Sequence, residues 1–299
     1  MCPSVKKALK RVLEEALGTK DLRGLYASFD LVGDIAVLRL PRELEYLSPK
    51  LGEAILKSNR RVVTVLLQKE GVSGIFRLRS LKWVLGEQKT ETIHKEHGCL
   101  FKVDLAKAYF SPRLHYERIR IARLVRPSEN LVNLFSGVGC FSIVAAKHSQ
   151  LRSAFSIDLN PEAVRLMEEN VRLNKMEGRV FPILGDAKEV VEDRLRGVAD
   201  RVLMPLPELV YEYLETAIKA LKPSGGFIHL YDFVHASKGE DPIEMVMGRA
   251  SKRLESLNVS HRFLFGRIVR SVGPNWYQVA LDILIGSPDQ RQPMKPTKG

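Results

Sequence analysis

Cysteine is scarce in this chain. The 299 residues hold three, Cys2, Cys99 and Cys140, with no close pair. That excludes a disulfide framework and points to a reducing compartment, the cytoplasm by default. Apolar residues nowhere run for the roughly eighteen positions a membrane span needs. A secretion signal is also lacking. Met1 to Gly18 instead sets Val5, Leu9, Val12, Leu13 and Leu17 at helical spacing, with Lys6, Lys7, Lys10 and Arg11 on other faces, which predicts an amphipathic helix. Internal repeats and long linkers are missing too, and only the polar, proline-containing tail from Ser287 onward reads as disordered.

Acidic residues are in deficit, and unevenly so. The net charge is +12. Residues 1–126 hold 25 Lys/Arg against 14 Asp/Glu, whereas the remaining 173 hold 22 against 21. A surface rich in Lys, Arg and Glu for thermal stability would explain many charges but not their segregation. A polyanion-binding module joined to a neutral domain explains both.

The neutral part carries the chemistry-bearing pattern. Leu131 to Phe135 is a short apolar run bounded by turn residues and reads as a buried parallel strand. Asn133-Leu134-Phe135-Ser136-Gly137-Val138-Gly139 follows as a glycine turn that lets backbone approach a ligand. Phe141 to Lys147 predicts a helix, and Ser153 to Ile157 the next strand, with Asp158 at its tip. A carboxylate there can accept hydrogen bonds from both ribose hydroxyls. The dinucleotide fingerprint wants a third Gly or Ala where this chain has Ser142, and the opening Asn133 resembles the S-adenosylmethionine form of the fold. A Gly-x-Gly pair alone also fits a tight turn with no ligand.

Further strands are predicted at Val180 to Leu184, Arg201 to Met204 and Gly226 to Tyr231. Helices at Glu162 to Asn174 and Leu209 to Leu221 separate them, and Leu257 to Arg270 with Gln278 to Ile285 reads as a closing hairpin. The alternation predicts an α/β fold with a parallel, Rossmann-like sheet, preceded by a small basic α+β domain. In that basic part Tyr26 to Arg39 reads as two strands about a Gly-Asp turn, Pro41 to Ser58 as a helix, and Val62 to Leu67, Ile75 to Arg79 and Trp83 to Leu85 as strands. The expected division is 1–110 for the basic domain, 111–126 for a connecting helix, 127–286 for the Rossmann-like domain and 287–299 for the tail.

Glu91 to Cys99, Phe101 to Asp104, Tyr109-Phe110-Ser111-Pro112-Arg113 and Glu117-Arg118 resemble the archaeal and eukaryotic tRNA guanine-N1 methyltransferases. The resemblance continues through Asn133 to Ser142, Ser156 to Pro161, Asn174-Lys175, Met204 to Pro207, Ile228 to Phe233 and Ser271 to Pro274. These enzymes modify the guanosine immediately 3′ of the anticodon, and the resemblance implies that the α/β part is a Rossmann-like class I methyltransferase domain. The resemblance implies S-adenosylmethionine as cofactor, bound by Asn133, Phe135, Gly137, Gly139, Asp158, Leu159, Asp186, Ala187 and Pro205. It implies an RNA surface with Arg79, Lys95, Arg113, Pro205 and Pro207, and a monomer acting on the tRNA anticodon stem-loop. Guanine N1 carries a proton that must leave as the new bond forms, and a carboxylate is its natural acceptor. By similarity that acceptor is Glu117, and Arg77, with Arg79 on the same strand face as the alternative, stabilises the charge that spreads toward O6. Without the resemblance Glu117 would read as a helix ion pair with Arg113 or Arg120, and Arg77 as an exposed strand charge.

Two departures from the family pattern stand out. Most members carry Asn-Leu-Pro after the fourth strand, where this chain has Pro205-Leu206-Pro207, losing a side-chain amide and an N–H donor. An archaeal branch with proline here is associated with a second methylation, on the tricyclic wyosine precursor. Members also commonly begin with a module that contacts the tRNA elbow, and this chain is expected to lack it. The rivals are a wybutosine-pathway aminocarboxypropyltransferase using the same cofactor and a non-catalytic RNA-binding protein. His94, His97 and Cys99 lack an evident fourth ligand, so no metal is expected and they read as loop residues near the base. His229 and His235 read as core or rim residues of the fifth strand.

Overall fold

The computed structural model describes residues 10–15, 18 and 28–286, so most of the expected Met1–Gly18 helix and the tail from Ser287 lie outside the described residues. The chain divides into two compact units, one ending at Arg113 and the other beginning at Leu114.

In the first unit β1 (Ser28–Val32) and β2 (Ile35–Arg39) form the expected hairpin about Gly33 and Asp34. β3 (Thr64–Gln68) runs parallel to β2, and β4 (Leu81–Gly86) closes the sheet antiparallel, giving the order β1-β2-β3-β4. A 3₁₀ turn, Arg42–Leu47, leads into the Ser48–Ser58 helix, whose Leu51 and Ile55 lie one turn apart and pack on Leu38, Val65 and Leu67. Each such fully buried aliphatic side chain contributes about 1.5–3 kcal/mol. A second hairpin, β5 (Glu91–Glu96) and β6 (Cys99–Asp104), approaches Gly33 so closely that a Cβ there would lie 2.1 Å from Thr92 Oγ1.

Two sequence expectations are corrected in this unit. Ile75 to Arg79 is not a strand; a lone bridge between Ser73 and Leu78 closes a turn in which Arg77 has φ +54°. The alternation of Phe76 and Leu78 mimics a strand, yet among the described residues no neighbouring strand receives their backbone, and Ile75 stays exposed. His94 and Cys99 are not in a loop. They stand on β5 and β6, and the loop is only His97 and Gly98, both left-handed at φ +47° and +71°.

The second unit holds a seven-stranded sheet in the order β12-β13-β11-β10-β7-β8-β9. β7 (Asn130–Asn133), β8 (Ser153–Asp158), β9 (Val180–Leu184), β10 (Arg201–Met204) and β11 (Gly226–His235) are parallel. β12 (His261–Gly273) and β13 (Trp276–Ile285) form the expected hairpin, antiparallel to β11. The order reverses between β7 and β10, and open α/β sheets bind ligands outside the strand carboxyl ends at such a switch point. Helices Cys140–His148, Pro161–Leu173 and Leu214–Ala220 cover the sheet. The Pro242–Ser256 helix was not expected, although Asp241 caps it, its carboxylate accepting from the Ile243 N–H, and proline opens its first turn. Among the described residues no helix is long and apolar enough to cross a membrane.

Candidate active site

Four adjacent strand ends supply the expected cofactor residues. After β7 the chain turns through Gly137 and Gly139, at φ +55° and +88°. A Cβ at Gly139 would meet Met167 Cγ at 2.7 Å, so only glycine lets this turn pack against the Pro161–Leu173 helix. Buried Asn133 props the turn, its Oδ1 accepting from the Phe135 N–H at 3.3 Å. At the end of β8, Asp158 accepts from the Gly137 N–H at 2.6 Å and the Asn160 N–H at 3.0 Å. Burial raises the Asp158 carboxyl above its ordinary range, against the pull of those backbone donors. Asp186, after β9, accepts from the Lys188 N–H at 2.7 Å and the Tyr213 hydroxyl at 2.8 Å, while Ala187 is buried beside it. Phe135 meets the Tyr213 ring edge-on, and Leu159 is exposed. Pro205 and buried Pro207 follow β10. A carboxylate held by neutral backbone donors, beside a turn that tolerates no Cβ, suits ribose hydroxyl donors. These residues therefore fit the nucleoside of S-adenosylmethionine.

On another part of the sheet the His115–Leu124 helix sets Glu117 and Arg120 on one face, three residues apart. Glu117 is 1% exposed. Its Oε2 accepts from Arg120 Nε at 2.9 Å and from the Tyr231 hydroxyl at 3.0 Å. Among the described residues its buried Oε1 has no hydrogen-bond partner, and Arg267 of β12 lies 3.3 Å from it in an ion pair. Arg120 also grips Asp282 of β13 through both terminal nitrogens, at 2.6 and 3.1 Å. The register of β11 with β13 sets His229 opposite Asp282, with 2.6 Å between Nδ1 and Oδ1. His229 Nε2 meets Arg201, which binds Glu129 through Nε and a terminal nitrogen.

Burial sets the protonation states in this chain of contacts. It pushes the Tyr231 hydroxyl well up, with the Glu117 charge adding to it, so the tyrosine stays a donor. It pushes His229 down despite Asp282, so the imidazole is neutral and donates through Nδ1. Asp282 lies below its usual range although burial opposes that, because His229 and Arg120 both hold its ionised form. Glu117 is thus fixed through one oxygen, and its other oxygen, paired ionically with Arg267, accepts no hydrogen bond among the described residues. A carboxylate so placed can accept a proton from a bound molecule.

The remaining expected residues lie in the first unit. Arg77 sits in its left-handed turn with its guanidinium 4.7 Å from the Tyr109 ring centroid. Arg79 does not share a strand face with it; its guanidinium is buried, donates to the Phe110 carbonyl at 2.7 Å and approaches Asp30 at 3.8 Å. Arg113 donates through Nε to Asp30 at 2.7 Å, not to Glu117. Lys95 is exposed on β5. His94 Nδ1 accepts from the Gly33 N–H, and no metal-holding cluster occurs among the described residues. His229 is core and His235 is exposed at the end of β11.

Sequence reasoning missed Tyr231, Arg267 and Asp282 as partners of Glu117 and Arg120. Only the spacing of Glu117 and Arg120 was visible. The other contacts depend on strand register and on β-bulges that flank Phe265 and Arg270 in β12.

The chain matches the TRM5/TYW2 methyltransferase domain over residues 92–259 and the TYW2 N-terminal domain over residues 9–90. An N-terminal domain of this family is therefore present where a lost module was expected. Trm5b of Pyrococcus abyssi, a tRNA (guanine(37)-N(1))-methyltransferase, is 38% identical over 263 residues, covering 88% of this chain and 76% of the relative. Taw21 of Saccharolobus solfataricus, a tRNA 4-demethylwyosine(37)-methyltransferase, is 38% identical over 269 residues, covering 88% and 96%. A tRNA(Phe) (4-demethylwyosine(37)-C(7)) aminocarboxypropyltransferase of Methanocaldococcus jannaschii is 35% identical over 226 residues, covering 75% and 86%. Among solved structures, the complex of aTrm5 and tRNALeu superposes with a TM-score of 0.81 at 33% identity, covering 93% of this chain and 78% of that one. TYW2 of M. jannaschii in complex with AdoMet has a TM-score of 0.64 at 27% identity, covering 87% and 99%. This chain belongs to the TRM5/TYW2 methyltransferase family.

Proposed function

We propose that this protein is an S-adenosylmethionine-dependent tRNA methyltransferase acting on N1 of the guanosine 3′ of the anticodon. We place it in the cytoplasm, as a monomer on the anticodon stem-loop, with the basic first unit meeting RNA phosphates through residues such as Lys95 and Arg113. Bound S-adenosylmethionine supplies a methyl group made electrophilic by its sulfonium. Gly137, Gly139 and Asn133 would shape the turn beside it, Asp158 would accept from its ribose hydroxyls, and Asp186, Ala187, Phe135, Leu159 and Pro205 would complete its binding site.

Glu117 takes the N1 proton on Oε1, while Arg120 and Tyr231 hold Oε2 and keep the carboxylate from turning away. Arg77 stabilises the negative charge that gathers on guanine O6. The observation that carries this reading is the buried Glu117 Oε1 without a hydrogen-bond partner, on a carboxylate otherwise fully held. The test is nucleoside mass spectrometry of tRNA incubated with protein and labelled cofactor. One added methyl on guanosine supports the assignment, and an added aminocarboxypropyl group replaces it with the transferase named for the M. jannaschii relative. Glu117→Gln should slow transfer by about 10²–10⁴-fold. Full turnover by that variant would remove Glu117 as the base.

A second reading adds methylation of the tricyclic 4-demethylwyosine base. The name of the S. solfataricus relative supports it, as does Pro205, which supplies neither an amide nor an N–H at the base. Incubation with tRNA already bearing the tricyclic base decides it, and absence of product rejects it.

A further inference from the structure

We propose that Arg267 is a specificity-determining residue that, paired with Glu117, reads the adjacent N1–H and O6 of the target guanine. This rests on the reading of Glu117 as the base that meets N1. Arg267 stands on β12 with its terminal nitrogen 3.3 Å from Glu117 Oε1, the oxygen that lacks a hydrogen-bond donor. Its guanidinium lies 4.4 Å from the ring centroid of exposed Tyr116, which holds the plane of the cation without consuming its donors. The other cation on Glu117, Arg120, is committed to Glu117 and Asp282 and is packed 5.0 Å from the Phe265 ring centroid. Arg267 is the more exposed of the two, with a side chain 30% exposed against 12%. It is therefore the guanidinium an incoming base can reach.

The chemistry of the pair is complementary to one purine edge. Guanine presents a donor at N1 and an acceptor at O6 on neighbouring atoms. A carboxylate oxygen beside a guanidinium presents the reverse, acceptor then donor. As N1 gives its proton to Glu117, charge moves onto O6, and a guanidinium there gains attraction as the base loses the proton. Adenine reverses both positions: its N1 lone pair would face the carboxylate and its amino group the guanidinium. Both contacts would then be repulsive, and like-facing groups in a site of low dielectric are costly. O6 has two lone pairs, so this assignment is compatible with Arg77 in its own role.

The test is equilibrium binding, without cofactor, of anticodon stem-loops carrying guanosine, inosine or adenosine at the target position. Inosine keeps N1–H and O6 and loses only the 2-amino group. Wild-type protein should bind guanosine and inosine alike and adenosine about tenfold more weakly. Arg267→Met should reduce that ratio to about threefold or less, and Arg267→Lys should restore part of it as a point charge without the fork. Unchanged affinity for S-adenosylhomocysteine certifies the fold of each variant. Equal wild-type binding of guanosine and adenosine overturns the proposal. So does an undiminished ratio in Arg267→Met when Glu117→Gln has lost turnover. If Glu117→Gln turns over normally, the reading beneath the proposal is what has failed.

Discussion

Arg120 joins Glu117 to Asp282, donating from Nε to the first at 2.9 Å and from both terminal nitrogens to the second at 2.6 and 3.1 Å. One guanidinium thus ties the middle of a helix to the last strand of the sheet. Its charge is shared between two carboxylates, both almost fully buried. Burying three charges is costly unless each is compensated, and here each carboxylate faces a cation and Arg120 faces two anions.

Asp282→Asn breaks that balance. Arg120 and His229 each lose an ionised acceptor inside the protein, and removing one member of a buried pair costs about 3–5 kcal/mol. Urea denaturation should show a lowered midpoint with an unchanged slope. Transfer activity should fall more than affinity for S-adenosylhomocysteine, because the support of Glu117 is lost while the strand ends near Asp158 are untouched.

Acid should destabilise the folded protein earlier than carboxylate titration alone would. His229 is held neutral by burial, its folded pKa below the ordinary value of about 6.5. The unfolded chain then binds a proton that the native state does not, so stability is lost as pH falls below about 6.5. Asp282, depressed by His229 and Arg120, adds a further loss as pH falls below about 3.9. Denaturation midpoints measured between pH 7.5 and pH 5 should decline, and His229→Gln should flatten that decline.

The fold of the second unit was largely legible because its strands are short apolar runs that end in chemistry: Asn133 and the glycines, Asp158, Asp186, Pro205. Each local signal needs only a few neighbouring residues. The Pro242–Ser256 helix is equally local in its signal, since Asp241, Pro242 and Glu244 form an ordinary helix start. Ile75 to Arg79 failed for a physical reason: alternating apolar residues make a strand only where another strand accepts their backbone, and among the described residues none does. The partners of Glu117 were illegible. His229 and Asp282 stand 53 positions apart, and only the antiparallel register of β11 and β13 sets them side by side.

Cofactor affinity should weaken toward acid pH from a point above the ordinary carboxylate range. Burial raises Asp158, so its carboxylate protonates at a higher pH than a solvated aspartate. Ribose hydroxyls donate best to the ionised form. Calorimetric titration with S-adenosylhomocysteine should show affinity falling as pH drops through the Asp158 titration, and Asp158→Asn should bind weakly with little such dependence. A wild-type affinity that stays level down to about pH 4 would contradict the assignment of Asp158 to the ribose.

Binding of tRNA should depend steeply on salt, and Arg113 should carry about one unit of that dependence. The excess of positive charge lies in the part of the chain ending near this residue. Asp30 sits at the centre of an arginine cluster, accepting from Arg113 Nε at 2.7 Å and from Arg39, with Arg79 at 3.8 Å. One carboxylate among three guanidiniums leaves the cluster positive, and Arg39 and Arg113 are each about one-third exposed. A phosphate bound there releases a condensed counterion, so the logarithm of affinity falls by about 0.9 per contact per logarithm of salt. Filter binding from 50 to 300 mM salt, roughly the range where this law holds, should therefore give a slope for Arg113→Ala shallower by about one. Buried Arg79 serves Phe110 and Asp30, so its loss should show in the melting temperature. A wild-type slope near zero would mean that the basic unit does not meet the RNA backbone at all.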